Sequence, residues 1–497
     1  MKQRSGAGGT GELIDMGSDD AGRARRFLRR RKPTRPTPED VTIVEESKTR
    51  RAVAAAAIGN TMEWFDFGVF SYIAVVISQV FFPQSSPTAQ LLSTFATFAV
   101  AFLVRPLGGF FFGPLGDRIG RRKVLAVTML LMAAGTVAIG LIPSYASIGI
   151  AAPILLLVAR LVQGFSTGGE YGGATTFVSE FAPDRRRGFM ASWLEFGTLT
   201  GYASGALVVT LLTVLLPEQE LLAWGWRIPF LIGGPLGLVG LYLRFRLEET
   251  PAYAQAPAGD AEQRGTASEH RSSYSEIFGT YWRPLLICVG LVLVFNVTNY
   301  MLTAYMPTYL TAAVGFSHAN ALVLVLVAMV LVMGLVVVLG RFSDRIGRVP
   351  VVATGCVALV VVALPAFWLI NLGNWVAVLA GILLLGLVLV CFSSTLPSTV
   401  PALFPTSVRY GGVSIGFNIS VALFGGTTPL LSEWLVDVTG NALSPAFLLV
   451  AAGILGGITV LFTRESAQRA LPGSSPTAAG PAEARKTARD QRRGNYP

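Results

Sequence analysis

The sequence predicts an all-α integral membrane protein with twelve transmembrane helices in two pseudo-symmetric six-helix halves. Three observations carry this. Charged residues are only 14% of the 497-residue chain, against about 25% in soluble domains. Twelve apolar stretches recur, each long enough to cross a hydrocarbon core of roughly 30 Å as a helix. The string DRIGR stands after the second stretch and again after the eighth, 227 residues later.

In chain order, residues 1–50 are polar, with RARRFLRRRK at Arg23–Lys32 followed by Pro33, Pro36 and Pro38. They lack the apolar core of about 7–15 residues that a signal peptide requires. They read as a disordered basic tail, suited equally to anionic lipid and to plain solvation. Windows of about 19 residues place spans near 53–82, 91–114, 124–142, 149–179, 189–216 and 227–245, and then near 284–313, 318–340, 350–370, 375–400, 411–436 and 444–463. None alternates with period two, and in lipid each must satisfy its own backbone hydrogen bonds, so each reads as a helix. The domain reading is a first half at 51–246, a polar cytoplasmic linker at 247–283, a second half at 284–466, and a tail at 467–497 without the heptads of a coiled coil.

The basic residues orient the chain. Of 39 Lys and Arg, 36 lie in the two tails or in the loops that an alternating path puts on the same side, and the other three, Arg105, Arg160 and Arg227, lie in or at the ends of spans. This asymmetry predicts both termini in the cytoplasm of a multi-pass cell-membrane protein. It also accounts for the net charge of +10 without nucleic acid. Cys288, Cys356 and Cys391 lie in apolar runs, which excludes a disulfide framework, and two histidines leave no metal constellation. No phosphate-cradling G-x-x-x-x-G-K-[ST] string occurs, so an ATP-driven pump is not written here.

The repeat has a physical content. Gly116, Asp117, Arg118, Gly120, Arg121 and Arg122 follow span 2, and Asp344, Arg345, Gly347 and Arg348 follow span 8. Glycines permit the tight turn, the aspartates suit a helix N-terminus, and the arginines hold the loop on the cytoplasmic side. FAPDRRRG after span 4 and FPTSVRYG after span 10 give a weaker second echo. Two echoes in corresponding loops point to halves of common design.

Few ionisable residues remain inside the spans, where each costs at least about 2.5–3.5 kcal/mol at mid-helix. Glu63, Asp66, Arg105, Arg160, Glu170 and Glu195 are the candidates for proton coupling, since buried carboxyls beside guanidiniums change proton affinity as the partners move. Asp66 and Glu170 are the first choices for proton binding, with Arg105 and Arg160 as switching partners; similar depth in the membrane suggests one shared network. Locking of helices by such pairs is the competing reading. Asn60, Trp64, Phe67, Trp193, Asn296, Asn299 and Tyr300 are the candidates for substrate binding, with Phe196 and Tyr305 as further aromatics for an ammonium cage. Interhelical packing competes for these as well. Pro307 should kink span 7, and Glu433 and Asp437, near the outer end of span 11, read as facing water.

GPLGDRIGRRK (Gly113–Lys123) and its copy GRFSDRIGR (Gly340–Arg348) resemble the signature loops of the major facilitator superfamily. GNTMEWFDFGVF (Gly59–Phe70), RPLGGFFFGPLGDRIGRRK (Arg105–Lys123), QGFSTGGEYGGA (Gln163–Ala174), WGWRIPF (Trp224–Phe230), LEETPAY (Leu247–Tyr253) and NVTNYMLTAYMPTYL (Asn296–Leu310) are together similar to its metabolite:proton symporter family, and most to the osmolyte-carrying branch. The resemblance covers roughly residues 48–466. It implies the major facilitator fold and uptake by alternating access. It implies no cofactor other than a proton gradient, and a zwitterionic substrate such as proline, glycine betaine or ectoine. Sister members carry carboxylates such as 2-oxoglutarate, citrate or shikimate on nearly the same motifs. It also implies a coupling role for Arg160 with Gln163 and Gly164. Members best known for osmotic control carry a C-terminal coiled coil, which this tail lacks.

Overall fold

A computed structural model describes residues 41–119, 121–246 and 275–492. The basic run Arg23–Lys32, Gly120 and most of the central linker lie outside the described residues, and Gly116, Asp117, Arg118, Arg121 and Arg122 are described as helical backbone only.

Twelve passes can be traced in the described chain: nine long apolar helices, two bent helix pairs and the shorter apolar helix Ala126–Leu141. Span 1 is Glu46–Tyr72 continued, after a 60° bend, by Ala74–Phe81. Span 2 is Pro87–Ile119 and span 3 Arg121–Leu141. Span 4 is Ala151–Ser166 and Glu170–Phe181, joined through a 3₁₀ turn at Thr167–Gly169. Span 5 is Arg187–Leu215 and span 6 Arg227–Arg246. In the second half, span 7 runs Trp282–Ala312, span 8 His318–Ile346, span 9 Arg348–Asn371, span 10 Trp375–Thr399, span 11 Arg409–Thr439 and span 12 Ser444–Leu461. Large aliphatic side chains stand outward along them, Val376 at 79% and Leu461 at 81% exposure, a surface that lipid rather than water would cover.

The repeat in the loops is matched in the packing. Span 1 packs along span 5, span 2 along span 4 and span 3 along span 6, and the same partnerships recur six spans later as 7 with 11, 8 with 10 and 9 with 12. The halves meet along two seams, spans 5 with 8 and spans 2 with 11. Spans 2 and 4 approach backbone to backbone: a Cβ on Gly164 would sit 1.8 Å from the Ala101 carbonyl oxygen, and one on Gly168 would sit 2.1 Å from that of Arg105. Only glycine fits there.

Span 7 departs from regular helix one step ahead of its proline. Met301–Tyr305 forms a π-helical turn and a new α-segment starts at Met306. Pro307 has no N–H for the carbonyl four residues earlier, and widening the preceding turn is one way to absorb that loss. Span 11 carries a second π-turn at Val421–Gly425.

The halves touch at both ends of the seam. At the end rich in arginine, Asp344 accepts hydrogen bonds from the backbone N–H groups of Gly188 (2.7 Å) and Phe189 (2.9 Å), and Arg409 pairs with Glu180 (2.7 Å). The signature-loop aspartate of the second half therefore sits at the N-terminus of span 5 in the first, where it satisfies orphan donors and opposes the helix dipole. At the opposite end, the Tyr72 hydroxyl of span 1 donates to Met329 Sδ of span 8 (3.7 Å), and the rings of Phe95 and Tyr305 lie 6.0 Å apart.

The residues after span 12 recross the basic end. Glu465 accepts from the backbone N–H groups of Arg348 and Val349, both at 3.0 Å. Thr477 N donates to Asp184 (3.0 Å), Arg185 pairs with Asp490 (2.8 Å), and Thr477–Ala478 lies parallel to Thr42–Ile43 as a two-residue strand pair. The segment ends in a short helix, Pro481–Arg492.

Candidate functional site

Span 1 is the spine of the site, because its buried residues reach four neighbouring helices. Glu63 forms an ion pair with Arg105 of span 2 (Oε1–Nη2 2.6 Å), with the two side chains 4% and 0% exposed. One turn on, Asp66 accepts from the Thr136 hydroxyl of span 3 (2.8 Å). That hydroxyl accepts in turn from Gln163 Nε2 (2.7 Å), and Gln163 Oε1 accepts from Arg160 Nη1 (3.0 Å). Arg160 thus reaches Asp66 through two uncharged side chains, and its guanidinium carbon stands 4.2 Å from the Phe70 ring centroid. Asn60 donates to the Leu194 carbonyl (2.9 Å) and Thr198 (2.5 Å) of span 5 and accepts from Trp64 Nε1 (3.0 Å). It therefore fixes the Trp64 ring as well as tying two helices together.

The remaining carboxylates have different partners. Glu170, the first residue after the 3₁₀ turn of span 4, accepts from Thr128 of span 3 (2.8 Å). Glu195 of span 5 accepts from the Tyr171 hydroxyl of span 4. Among the described residues the contacts seen for these charges are Glu63 with Arg105, Asp66 relayed to Arg160, Glu170 with Thr128 and Glu195 with Tyr171. Similar depth along several helices does not bring side chains together when they leave on different faces.

At the seam the rings do converge. Trp64 lies 5.9 Å from Phe67, 5.4 Å from Tyr202 and 6.0 Å from Tyr300. Phe102 lies 4.8 Å from Phe67 and 5.3 Å from Tyr300. Arg105 stands over this group, its guanidinium carbon 5.5–6.0 Å from the Trp64, Phe67 and Phe102 centroids. Tyr300 comes from the second half, so separation of the halves would part these rings and expose a chamber lined by them. Arg105 Nε and Nη1, Asn296 Nδ2 and the Tyr300 hydroxyl are buried here without a protein partner, and such groups call for a ligand or water. Asn299 is buried on the same span.

Three placements correct the sequence reading. Trp193 lies away from the ring cluster. It packs at 5.1 Å on Phe196 and lines a cavity of about 880 Å³ at the basic end with Phe189 and Arg341. Tyr305 turns to Glu433, which is 8% exposed and accepts its hydroxyl at 3.0 Å, so Glu433 does not face water as expected from its place near a span end. Asp437, one turn on, is exposed. Phe98, Phe102, Thr128, Thr136 and Tyr171 join the site without being among the sequence candidates. Phe98 and Phe102 had a signal: with Arg105 they fall at i, i+4 and i+7, one face of span 2.

A two-half helical bundle with buried charge and unspent donors at its centre is the architecture of a membrane transporter rather than an enzyme. The pattern of the sugar (and other) transporter family matches residues 52–475, and the chain belongs to that family. It is 48% identical over 464 residues to the proline/betaine transporter of Escherichia coli K12, covering 93% of this chain and 92% of that one. It is 47% identical over 460 residues to a glycine betaine/proline/ectoine/pipecolic acid transporter of Dickeya dadantii, covering 92% of each. Among solved structures, a major facilitator superfamily proton:xylose symporter shares the fold, with a TM-score of 0.68 at 18% identity over 86% of this chain and 98% of that one.

Proposed function

We propose that this chain is a proton-coupled symporter that takes up small zwitterionic osmolytes of the proline, glycine betaine and ectoine type by alternating access across the cell membrane, with both termini in the cytoplasm. The observation that carries the substrate class is the state of Arg105. One edge is spent on Glu63, and two further donors are buried beside an aromatic group. A substrate carboxylate suits those donors, and a quaternary or secondary ammonium suits the faces of Trp64, Phe67, Phe102 and Tyr300.

Charge balance supports a zwitterion over a dianion. The Arg105–Glu63 pair is neutral as a unit, and Arg160 is linked to Asp66. Both guanidiniums are thus already engaged with a carboxyl, directly for Arg105 and through Gln163 and Thr136 for Arg160. A dicarboxylate would bring two negative charges to guanidiniums that each already face a carboxyl, at a higher desolvation cost than a zwitterion. Glu63, Asp66, Glu170 and Glu195 are buried carboxyls able to carry a proton through the cycle. The placement of 36 of 39 basic residues in tails and same-side loops supports the orientation.

The test is uptake by proteoliposomes under an imposed pH gradient, comparing labelled glycine betaine, proline, ectoine, 2-oxoglutarate and shikimate. Accumulation of the zwitterions, collapsing with a protonophore, is expected. Preference for 2-oxoglutarate would overturn the substrate class, and uptake indifferent to the gradient would overturn the coupling.

A further inference from the structure

We propose that Tyr171 is a positioning residue that ties the Glu195 carboxyl to closure of the basic end, making the second segment of span 4, Glu170–Phe181, a gate released by a proton. The inference rests on the proton-coupled reading above and adds to it the route by which the proton reaches the opposite half.

From its 3₁₀ turn onward, span 4 is held by the second half. Asn418 of span 11 donates to the Gly168 carbonyl. A Cβ on Gly172 would lie 2.3 Å from Ser414 Oγ, so the two helices are in van der Waals contact there. Ser179 Oγ donates to the Pro397 carbonyl of span 10 (3.1 Å), and Glu180 pairs with Arg409 (2.7 Å). The segment begins at a point where the helix is already broken, so it can swing while Ala151–Ser166 stays packed on span 2 through Gly164.

Within that segment Tyr171 faces both ways. Its ring stacks on Phe417 of span 11, with centroids 3.9 Å apart and planes at 18°, and its hydroxyl donates to Glu195 of span 5. The side chain is 6% exposed and Glu195 1%. The titratable and charged groups near Glu195 are Tyr171 on span 4, Glu63 on span 1 with its partner Arg105 on span 2, Tyr202 on span 5 itself, and Tyr300 on span 7. Arg105 pairs through Nη2 with Glu63, and no ion pair to Glu195 is seen among the described residues. What holds Glu195 is hydroxyl groups, from Tyr171 and Thr198.

The chemistry follows from that. An ionised Glu195 accepts the Tyr171 proton donor in a charge-assisted bond. When Glu195 takes a proton on Oε, the bond becomes one between neutral groups, roughly half as strong. The tyrosine then has less to hold it against span 5, and the segment can shift away from span 5 together with its contacts to spans 10 and 11. Loss of that proton on the inner side restores the bond and draws the segment back. A tyrosine that merely filled space would need its ring but not its hydroxyl.

The full chain in proteoliposomes provides the test, with Tyr171→Phe and Phe417→Leu compared to wild type. Two activities are read: exchange of labelled for unlabelled glycine betaine without a gradient, and accumulation driven by an imposed pH gradient across the neutral range. For Y171F, exchange is expected within about twofold of wild type, while gradient-driven accumulation falls about tenfold and loses its pH dependence. F417L, which keeps the hydroxyl bond and removes the stack, is expected to flatten the pH profile in the same way, and it carries the test alone if Y171F does not reach the membrane folded. Wild-type accumulation and pH profile in either variant would overturn the assignment. Absence of gradient-driven accumulation in the wild type itself would instead remove the proton-coupled reading on which it rests.

Discussion

Replacing Arg105 by lysine tests the substrate chamber most directly. Alanine is a poor probe there, because it would remove the guanidinium paired with Glu63, 4% exposed, and breaking a buried pair costs on the order of 3–5 kcal/mol. Lysine keeps the positive charge and can still reach Glu63, which Arg105 holds at 2.6 Å. It cannot do so and also present a second pair of donors, because an ammonium is a point donor and a guanidinium is a planar fork. The donors lost are those at Nε and Nη1, now without a protein partner. A hydrogen bond to a charged group is worth about 1.5–3 kcal/mol, so losing the substrate carboxylate's contacts should raise KM for glycine betaine by about 10- to 150-fold. The rings of Trp64, Phe67, Phe102 and Tyr300, which would face the ammonium side of the substrate, are themselves unaltered by this change. The assay is initial uptake over a concentration series, paired with competition by choline, which has the ammonium but no carboxylate. Wild type should be inhibited far better by betaine than by choline, and R105K should lose most of that preference. A KM within about twofold of wild type, with the preference intact in folded protein, would refute the placement of the carboxylate on Arg105.

Further outcomes follow from the packing and the tail. Gly164→Val should sharply lower thermal stability in detergent, since its Cβ would meet the Ala101 carbonyl oxygen at 1.8 Å and overpacking of this kind costs about 1–3 kcal/mol or more; an unchanged melting curve would contradict the backbone contact of spans 2 and 4. Asp344→Asn removes the anion from the start of span 5, where it accepts two backbone N–H groups. A helix-terminal charge worth about 0.3–2 kcal/mol should shift the closed-to-open balance of the basic end toward open, measured as the distance between spin labels at Arg186 and Arg345; an unchanged distance distribution would argue against it. Burial works against ionisation of Glu465, but four backbone donors, from Arg348, Ala467, Val349 and Ser466, outweigh it and hold its carboxyl below the ordinary value of 4.5. Because the folded value is depressed, the tail anchoring it provides is present above the unfolded value and is lost as pH falls through the folded one. Hydrogen exchange at the Arg348 and Val349 amides should therefore quicken in acid, and in Glu465→Gln it should be quick already at neutral pH; equal protection in both proteins at neutral pH would contradict this.

Sequence reading reached the fold because its determinants are periodic and cumulative. Apolar length, basic-residue placement and the DRIGR echo each record how many times the chain crosses and where its halves divide, and the six-span offset in packing partners repeats the same information in space. The site was legible only at the level of which residues are costly to bury. Glu63, Asp66, Arg105, Arg160, Glu170 and Glu195 stand out because hydrocarbon tolerates few ions. Their pairing depends on helix rotation and crossing, which spacing along one helix does not encode. Thr136 shows why: a threonine in an apolar span is unremarkable as a letter, yet it is the atom through which Asp66 and Gln163 meet. Trp193 shows the converse, a residue of the right type on the right helix that faces the wrong end.

The distribution of charge between the halves constrains how any coupling can work. The six ionisable groups named above lie on spans 1, 2, 4 and 5, while the buried carboxylate Glu433 of span 11 stands toward the far end with Tyr305. Among the described residues, the second half meets the central charges through neutral groups: Tyr300 against the ring cluster and Phe417 against Tyr171. A proton added within the first half therefore cannot act on the second by direct charge pairing across the seam at this depth. It has to act through packing, by changing where an aromatic ring held by a carboxylate is able to sit. Packed contacts have discrete arrangements rather than a continuum, so a bond that weakens by about half can decide between two positions of a helix segment without any ion crossing from one half to the other.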